Sequence, residues 1–230
     1  MSEFDGYRAN YQDGIDRAIA FAGKSQDYYT KFKADLLIDL FRRQFGSIPL
    51  DVLDVGCGNG AIHPHLLSSG LALKLTGVEV AARFVDLARA ANPDVRYDVY
   101  DGKRLPYGAA RFDAVIAICV MHHIPPPEWI DFVRELQRVV RPGGMIAAIE
   151  HNPFNPLTVH VVRTCEFDRN AVMVKPGRLK ELLRTANLED VGVRFFQFTS
   201  ADGLLFRRVD RLLGWLPLGA QYLAFGRVPG

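Results

Sequence analysis

Leu50-Asp51-Val52-Leu53-Asp54-Val55-Gly56-Cys57-Gly58-Asn59-Gly60 is the stretch on which the reading of this chain turns. Its first six residues are dense in leucine and valine, as a strand covered on both faces must be. The glycines that follow permit a tight turn with positive backbone dihedrals and let a ligand approach the main chain. Ala61–Ser69, closed by Gly70, then reads as a helix. Strand, glycine turn and helix open a βαβ unit whose helix-terminal amides face whatever binds at the turn.

The same rhythm continues to the C-terminus. Apolar runs at Leu73–Val80, Val95–Tyr100, Phe112–Cys119, Met145–Glu150, Val191–Phe198 and Ala220–Val228 read as six more strands. Helices are expected at Ala82–Ala91, stopped by Asn92-Pro93, and at Pro127–Val140, stopped by Pro142-Gly143-Gly144, with Trp129, Val133, Leu136 and Val140 on one stripe. A further helix is expected at Arg178–Ala186. Such alternation predicts an α/β fold, a mainly parallel, doubly wound sheet with helices on both sides. Two segments stand outside it. Residues 1–48 carry Tyr29, Phe32, Leu36, Leu37, Leu40 and Phe41 at helical spacing, an N-terminal helical cap, and Tyr7–Tyr11 is a candidate lid. Residues 203–219 form an insertion mixing leucines and Trp215 with Arg207, Arg208 and Arg211, read as core packing or as an apolar acceptor wall or weak membrane-surface contact.

Length and composition bound the rest. The 230 residues suit one domain, 1–230, and their 49% hydrophobic and 23% charged content is that of an ordinary soluble protein. No apolar window is long enough for a membrane span, and the polar N-terminus does not read as a signal peptide. Cys57, Cys119 and Cys165 make neither a disulfide framework nor a spaced zinc site, so a cytoplasmic location is expected. A net charge of +2 without a basic run argues against a nucleic-acid partner. Oligomeric state is left open between monomer and homodimer.

The glycine turn gains meaning from Glu79, which closes the second strand and is placed to accept both hydroxyls of a ribose. Together they indicate a nucleoside-containing cofactor. Dinucleotide sites use G-x-G-x-x-G, whereas this chain has G-x-G-x-G preceded by Asp54. A carboxylate there opposes phosphate and suits a cationic ammonium or sulfonium, which favours S-adenosylmethionine over NAD.

The ordered series Asp54–Gly60, Val78–Val80, Tyr100–Tyr107 (YDGKRLPY), Arg111–Ile124 (RFDAVIAICVMHHI) and Arg138–Glu150 (RVVRPGGMIAAIE) resembles the class I S-adenosylmethionine-dependent methyltransferases. The resemblance covers about residues 50–150 and implies a Rossmann-like, seven-stranded sheet with an antiparallel last strand. It also implies that Gly56, Gly58 and Asn59 line the methionine portion, with Asp54 near its amino group. Glu79 would hold the ribose, Asp101 the adenine amino group with Gly102 beside it, and Cys119 and Val120 would border the sulfonium. Beyond residue 150, EHNPFNPLT, FDRNAV and WLPLGAQY resemble a bacterial subgroup linked to glycan or lipid-linked sugar metabolism.

A general base is needed only if the acceptor must lose a proton. The candidates at the carboxyl ends of the fourth and fifth strands are His122, His123, Glu150 and His151. The adjacent His122 and His123 are expected to point apart, so that one at most faces the acceptor, and His123 and His151 are the catalytic candidates. Adjacent His-His and Glu-His lack helical ligand spacing, so no metal is expected. His63 and His65 are expected at the surface. The Asn/Asp-Pro-Pro-aromatic signature of methylation at exocyclic amines is absent from CVMHHIPPPEW, which points to a small-molecule acceptor and O-methylation of a sugar, phenol or natural-product hydroxyl. Alternatives are methylation at carbon or of an isoprenoid-like lipid, a non-catalytic S-adenosylmethionine-binding protein, and an NAD-dependent oxidoreductase.

Overall fold

The computed structural model describes residues 25–199 and 204–230, with 204–207 as backbone alone. The candidate lid Tyr7–Tyr11 and the start of the insertion at Gly203 lie outside the described residues. Chain order is α1 Gln26–Phe45, β1 Leu50–Val55, α2 His63–Leu67, β2 Leu73–Glu79, α3 Ala82–Ala91, β3 Arg96–Val99 and β4 Phe112–Ile118. It continues with α4 Trp129–Val139, β5 Val140–His151, α5 Pro156–Thr164, α6 Pro176–Thr185, β6 Glu189–Phe196, α7 Leu204–Leu212 and β7 Gln221–Arg227.

All seven apolar runs are strands of one sheet, ordered β3-β2-β1-β4-β5-β7-β6. β1 to β5 pair in parallel, and β7 lies antiparallel between β5 and β6. Helices cover both faces. One face packs Trp129, Phe132, Val133 and Leu136 of α4 and Leu179 and Leu183 of α6 on the sheet. The other receives Leu37 and Phe41 of α1, Leu66 of α2 and Val85 and Ala88 of α3. Each leucine, valine and phenylalanine among them contributes about 1.5–3 kcal/mol by leaving water. The expected cap helix is α1, N-capped by Ser25, and its Phe32 stacks on Phe196 of β6 with ring centroids 5.8 Å apart.

Three local expectations shift. The first crossover helix shortens to His63–Leu67, and Pro126–Glu128 forms a 3₁₀ turn ahead of α4. α4 ends at Val139 and Pro142-Gly143-Gly144, three residues on, lies inside β5, where the β4–β5 register jumps between Phe112 and Ala114. The extra residues bulge out of the ladder there, with Gly143 at φ +78°. α5 has a start signal, since Asn155 caps it by accepting from the Thr158 amide and Pro156 opens it.

The reversal of strand order between β1 and β4 matters for function. Ligands of open α/β sheets bind outside the carboxyl ends of the strands at such a switch point. A Cβ at Gly144 would lie 2.6 Å from the Asp113 carbonyl oxygen, which belongs to the neighbouring backbone and cannot move aside. Gly144→Ala is therefore expected to destabilise the fold by about 1–3 kcal/mol, read as a lowered midpoint in urea denaturation.

Candidate functional site

Two loops flank the switch point. The β1 loop turns through Gly56, Gly58 and Gly60 at φ +72°, +53° and +71°. Gly56 and Cys57 both donate to the Val78 carbonyl of β2, at 2.8 and 3.1 Å. A Cβ at Gly56 would lie 2.5 Å from Val120 in the β4 exit turn, so the two loops touch only because glycine stands there. At Gly58 a Cβ would meet nothing within 4 Å, which leaves the turn open on that side.

Glu79 ends β2 directly beside this opening. Its Oε2 accepts from the Gly58 amide at 3.1 Å, and its Oε1 from the amides of Val80 and Ala81 at 2.7 and 3.1 Å. Burial raises its pKa above the ordinary glutamate value, and the three amides offset part of that. A second acceptor lone pair remains on Oε2, so a ribose hydroxyl fits the donor set. Asp101 follows Tyr100, whose amide donates to the Glu79 carbonyl at 3.2 Å, so it reaches the same edge. Its Oδ1 accepts from the Lys103 and Arg104 amides, both at 2.8 Å, and these hold its carboxyl below the usual range. Gly102 sits at φ +82° beside Val80. Asn59 accepts from the Ala61 amide at 3.3 Å and shapes the turn.

Asp54 is paired differently from its expectation. Its Oδ2 lies 3.1 Å from His63 Nε2, and His63 Nδ1 meets the Tyr97 hydroxyl at 2.5 Å. His63 is fully buried, which corrects its reading as a surface residue. The short α2 turns it inward beneath the glycine loop, where Asp54 satisfies its ring nitrogen. Asp54 Oδ1 is buried and has no hydrogen-bond partner, a free acceptor of the kind a cationic amino group fits. His65 stays near the surface, 2.8 Å from Asp27.

Beyond β4 the chain enters a 3₁₀ turn, Met121–His123, after Cys119 at φ +57°. Glu150, at the end of β5 and 1% exposed, organises that turn. Its Oε1 accepts from the Val120 and Met121 amides at 3.1 and 2.7 Å, and its Oε2 lies 2.6 Å from His122 Nδ1. Trp129 Nε1 donates to the Met121 and Ile124 carbonyls, and the Val172 amide to that of His122. His122 and His123 do not point apart. Side chains alternate only along extended strand; in the 3₁₀ turn the two rings come within 4.1 Å and both face Asp168. Asp168 Oδ1 lies 3.4 Å from His122 Nε2 and 3.6 Å from His123 Nε2. Sequence reading missed Asp168, which arrives on a 3₁₀ turn at Glu166–Asp168. It also missed Gln221, whose amide lies 3.3 Å from His151 Nδ1 and 3.4 Å from Cys119 Sγ.

These neighbours set the local charges. Burial would strip the proton from His122, but Glu150 and Asp168 hold its pKa well above the ordinary imidazole value. Burial and the charged His122 push His123 down to about 4. Asp168 is held at about 2 despite burial, by the His122 bond and the surrounding imidazoles. Burial would raise the Cys119 thiol, yet Lys33 of α1 and His151 bring it to about 7. Cys57 and Cys165 go the other way through burial, Cys165 to about 11. The Phe32–Phe196 stack brings α1 to this end of the sheet, since Phe196 pairs with Gln221 and Gln221 with His151. A groove of about 470 Å³ at the strand starts, lined by Leu73, Lys74, Asp94 and Arg96, belongs to the opposite edge and holds none of these groups.

Comparison with known proteins bears on the family and the fold. Residues 52–144 match the family model described as "Methyltransferase domain". The chain is 35% identical over 116 residues to the 27-O-demethylrifamycin SV methyltransferase of Amycolatopsis mediterranei, covering 46% of this chain and 41% of that protein. It is 26% identical over 207 residues to the ubiquinone biosynthesis O-methyltransferase of Bordetella avium, covering 81% of this chain and 84% of the relative. Among solved structures, a Thermotoga maritima S-adenosylmethionine-dependent methyltransferase, described as a possible histamine N-methyltransferase, superposes with TM-score 0.66. That likeness runs at 18% identity over 95% of both chains and speaks for the fold. Among the described residues no helix is long and apolar enough to cross a membrane.

The thiol environments predict that Cys119 alkylates first among the three cysteines, with a rate that rises through a midpoint near pH 7. Lys33→Met is expected to move that midpoint upward. Peptide mapping after iodoacetamide treatment across a pH series reads both.

Proposed function

We propose, from the premise that residues 52–144 match a methyltransferase domain, that the protein is an S-adenosylmethionine-dependent enzyme that methylates an oxygen of a small organic acceptor. One observation carries the cofactor half: the Gly58 amide meets the Glu79 carboxylate at 3.1 Å, joining the glycine turn and the ribose acid in one place. Relatives named for O-methylation support the choice of acceptor atom, alongside others named as N-methyltransferases. In this reading residues 50–150 hold the cofactor, with Gly56, Gly58, Asn59 and Asp54 at its methionine end, Asp101 and Gly102 at its adenine and Cys119 and Val120 near its sulfur. The other segments shape the acceptor pocket.

Bound S-adenosylmethionine supplies an electrophilic methyl on a sulfonium that departs as a neutral thioether. The protein positions the acceptor, excludes water and takes up a proton. His151 is the better base of the two candidates. His123, at about 4, stays neutral but offers a transferring proton little driving force. His151 is oriented by Gln221 and lies beside Cys119 at the carboxyl end of β5. His123 belongs with Asp168 and His122, and its role is to shape the acceptor side.

A lipid-linked acceptor is the second reading, favoured by the surface of the insertion. Trp215 and Leu212 are both 74% exposed, Leu218 and Arg208 are also exposed, and Arg211 pairs with Asp39 of α1 at 3.0 Å. An amphipathic surface of this kind suits the boundary of an anionic bilayer.

Isothermal titration tests the first reading. S-adenosylmethionine and S-adenosylhomocysteine are expected to bind, and Glu79→Ala to weaken both by about 1–3 kcal/mol. No binding by either ligand defeats the proposal. With an acceptor found by panel screening, His151→Gln is expected to lower kcat by about 10²-fold or more while S-adenosylhomocysteine affinity holds. His123→Gln is expected to change KM more than kcat. For the second reading, sedimentation with phosphatidylglycerol vesicles should carry the protein down, and Trp215→Ser should release it.

A further inference from the structure

We propose that His122, His123 and Asp168 form a binding site for one divalent transition-metal cation, with zinc the best match. Among the described residues these are the one group of three potential ligands whose donor atoms all lie within 4.8 Å of one another. The separations from Asp168 Oδ1 to His122 Nε2 and His123 Nε2 are 3.4 and 3.6 Å. Ligand atoms around a tetrahedral zinc at ordinary bond lengths stand about 3.3 Å apart, so small side-chain movements close the set on an ion. Two imidazoles and one carboxylate are the donors of many sites that keep a fourth position open.

The surroundings are those of a metal ligand. Glu150 holds His122 Nδ1 at 2.6 Å, which presents Nε2 toward Asp168. A carboxylate behind a histidine is the usual device for fixing the tautomer and ring of a ligating imidazole. Glu150 is itself anchored by the Val120 and Met121 amides. An ion entering the site displaces the Nε2 proton of His122; with neutral imidazoles, Glu150 and Asp168 then bring two negative charges, which match a divalent ion where His122 is 2% exposed. His123 and Asp168 are less buried, with 25% and 14% of their side-chain surface accessible, so the ion has a way in and an open face. Linear spacing hides the site because Asp168 comes from a distant turn. The site does not depend on the methyl acceptor.

The test uses the full chain, stripped of metal with a chelator and dialysed. Titration with Co2+ is expected to saturate at one equivalent with the intense visible bands of four-coordinate cobalt, and Zn2+ to bleach them. Asp168→Asn and His123→Gln should each weaken Co2+ binding at least tenfold, while His65→Gln should leave it unchanged. Thermal melting of the metal-free variants checks that they fold. If Asp168→Asn does not, His123→Gln carries the comparison, since its side chain is partly exposed. Absence of saturable Co2+ binding by the wild-type chain overturns the proposal. So does equal affinity in the wild type and a folded His123→Gln variant. Neither result bears on S-adenosylhomocysteine binding, which reports separately on the cofactor half.

Discussion

The Glu150 carboxylate is the constraint on which the acceptor side depends. It sits at the end of a central strand, almost without access to water, and its two oxygens take two backbone amides and one imidazole. A buried carboxylate is tolerable only when its lone pairs are answered in this way. In answering them the chain must leave β4 as a 3₁₀ turn, with Cys119 in the left-handed region and His122 facing inward. The docking of Trp129 and Val172 on the same turn follows, and with it the placement of Asp168. One side chain of β5 thereby sets the geometry of a loop belonging to β4.

The cofactor half obeys a comparable logic with backbone in place of side chain. Val120 occupies the space where a Cβ at Gly56 would go, so the exits of β1 and β4 are in contact across the switch point. Glu79 in turn grips Gly58 and its own following amides. The groups proposed for cofactor and acceptor thus stand on neighbouring strand ends, and the proposed in-line transfer requires such fixed positions. Below them, Asp54, His63 and Tyr97 form a buried polar chain, and α1 places Lys33 where it acts on Cys119.

Much of this was legible in the sequence. The seven strands appear as continuous apolar runs because a doubly covered sheet needs them so, and the antiparallel last strand is as the resemblance implied. Glycine spacing and Glu79 are readable together because a βαβ unit carries its ligand groups at strand ends a fixed interval apart. The directions of His63, His122 and His123 were not legible. Each lies in a single-turn element, where neither strand alternation nor a helical stripe governs the side chain. Asp168 lies in FDRNAV and Gln221 in WLPLGAQY, yet nothing local gave either a role, since their partners sit in other parts of the chain.

By itself, then, the sequence determined the α/β sheet and the carboxylate that meets the glycine turn, because these depend on short-range periodicity and on residues near in sequence. Only the tertiary structure decided that Asp54 pairs with His63, that the two histidines converge and that Asp168 joins them, because those outcomes depend on buried charges finding partners through space.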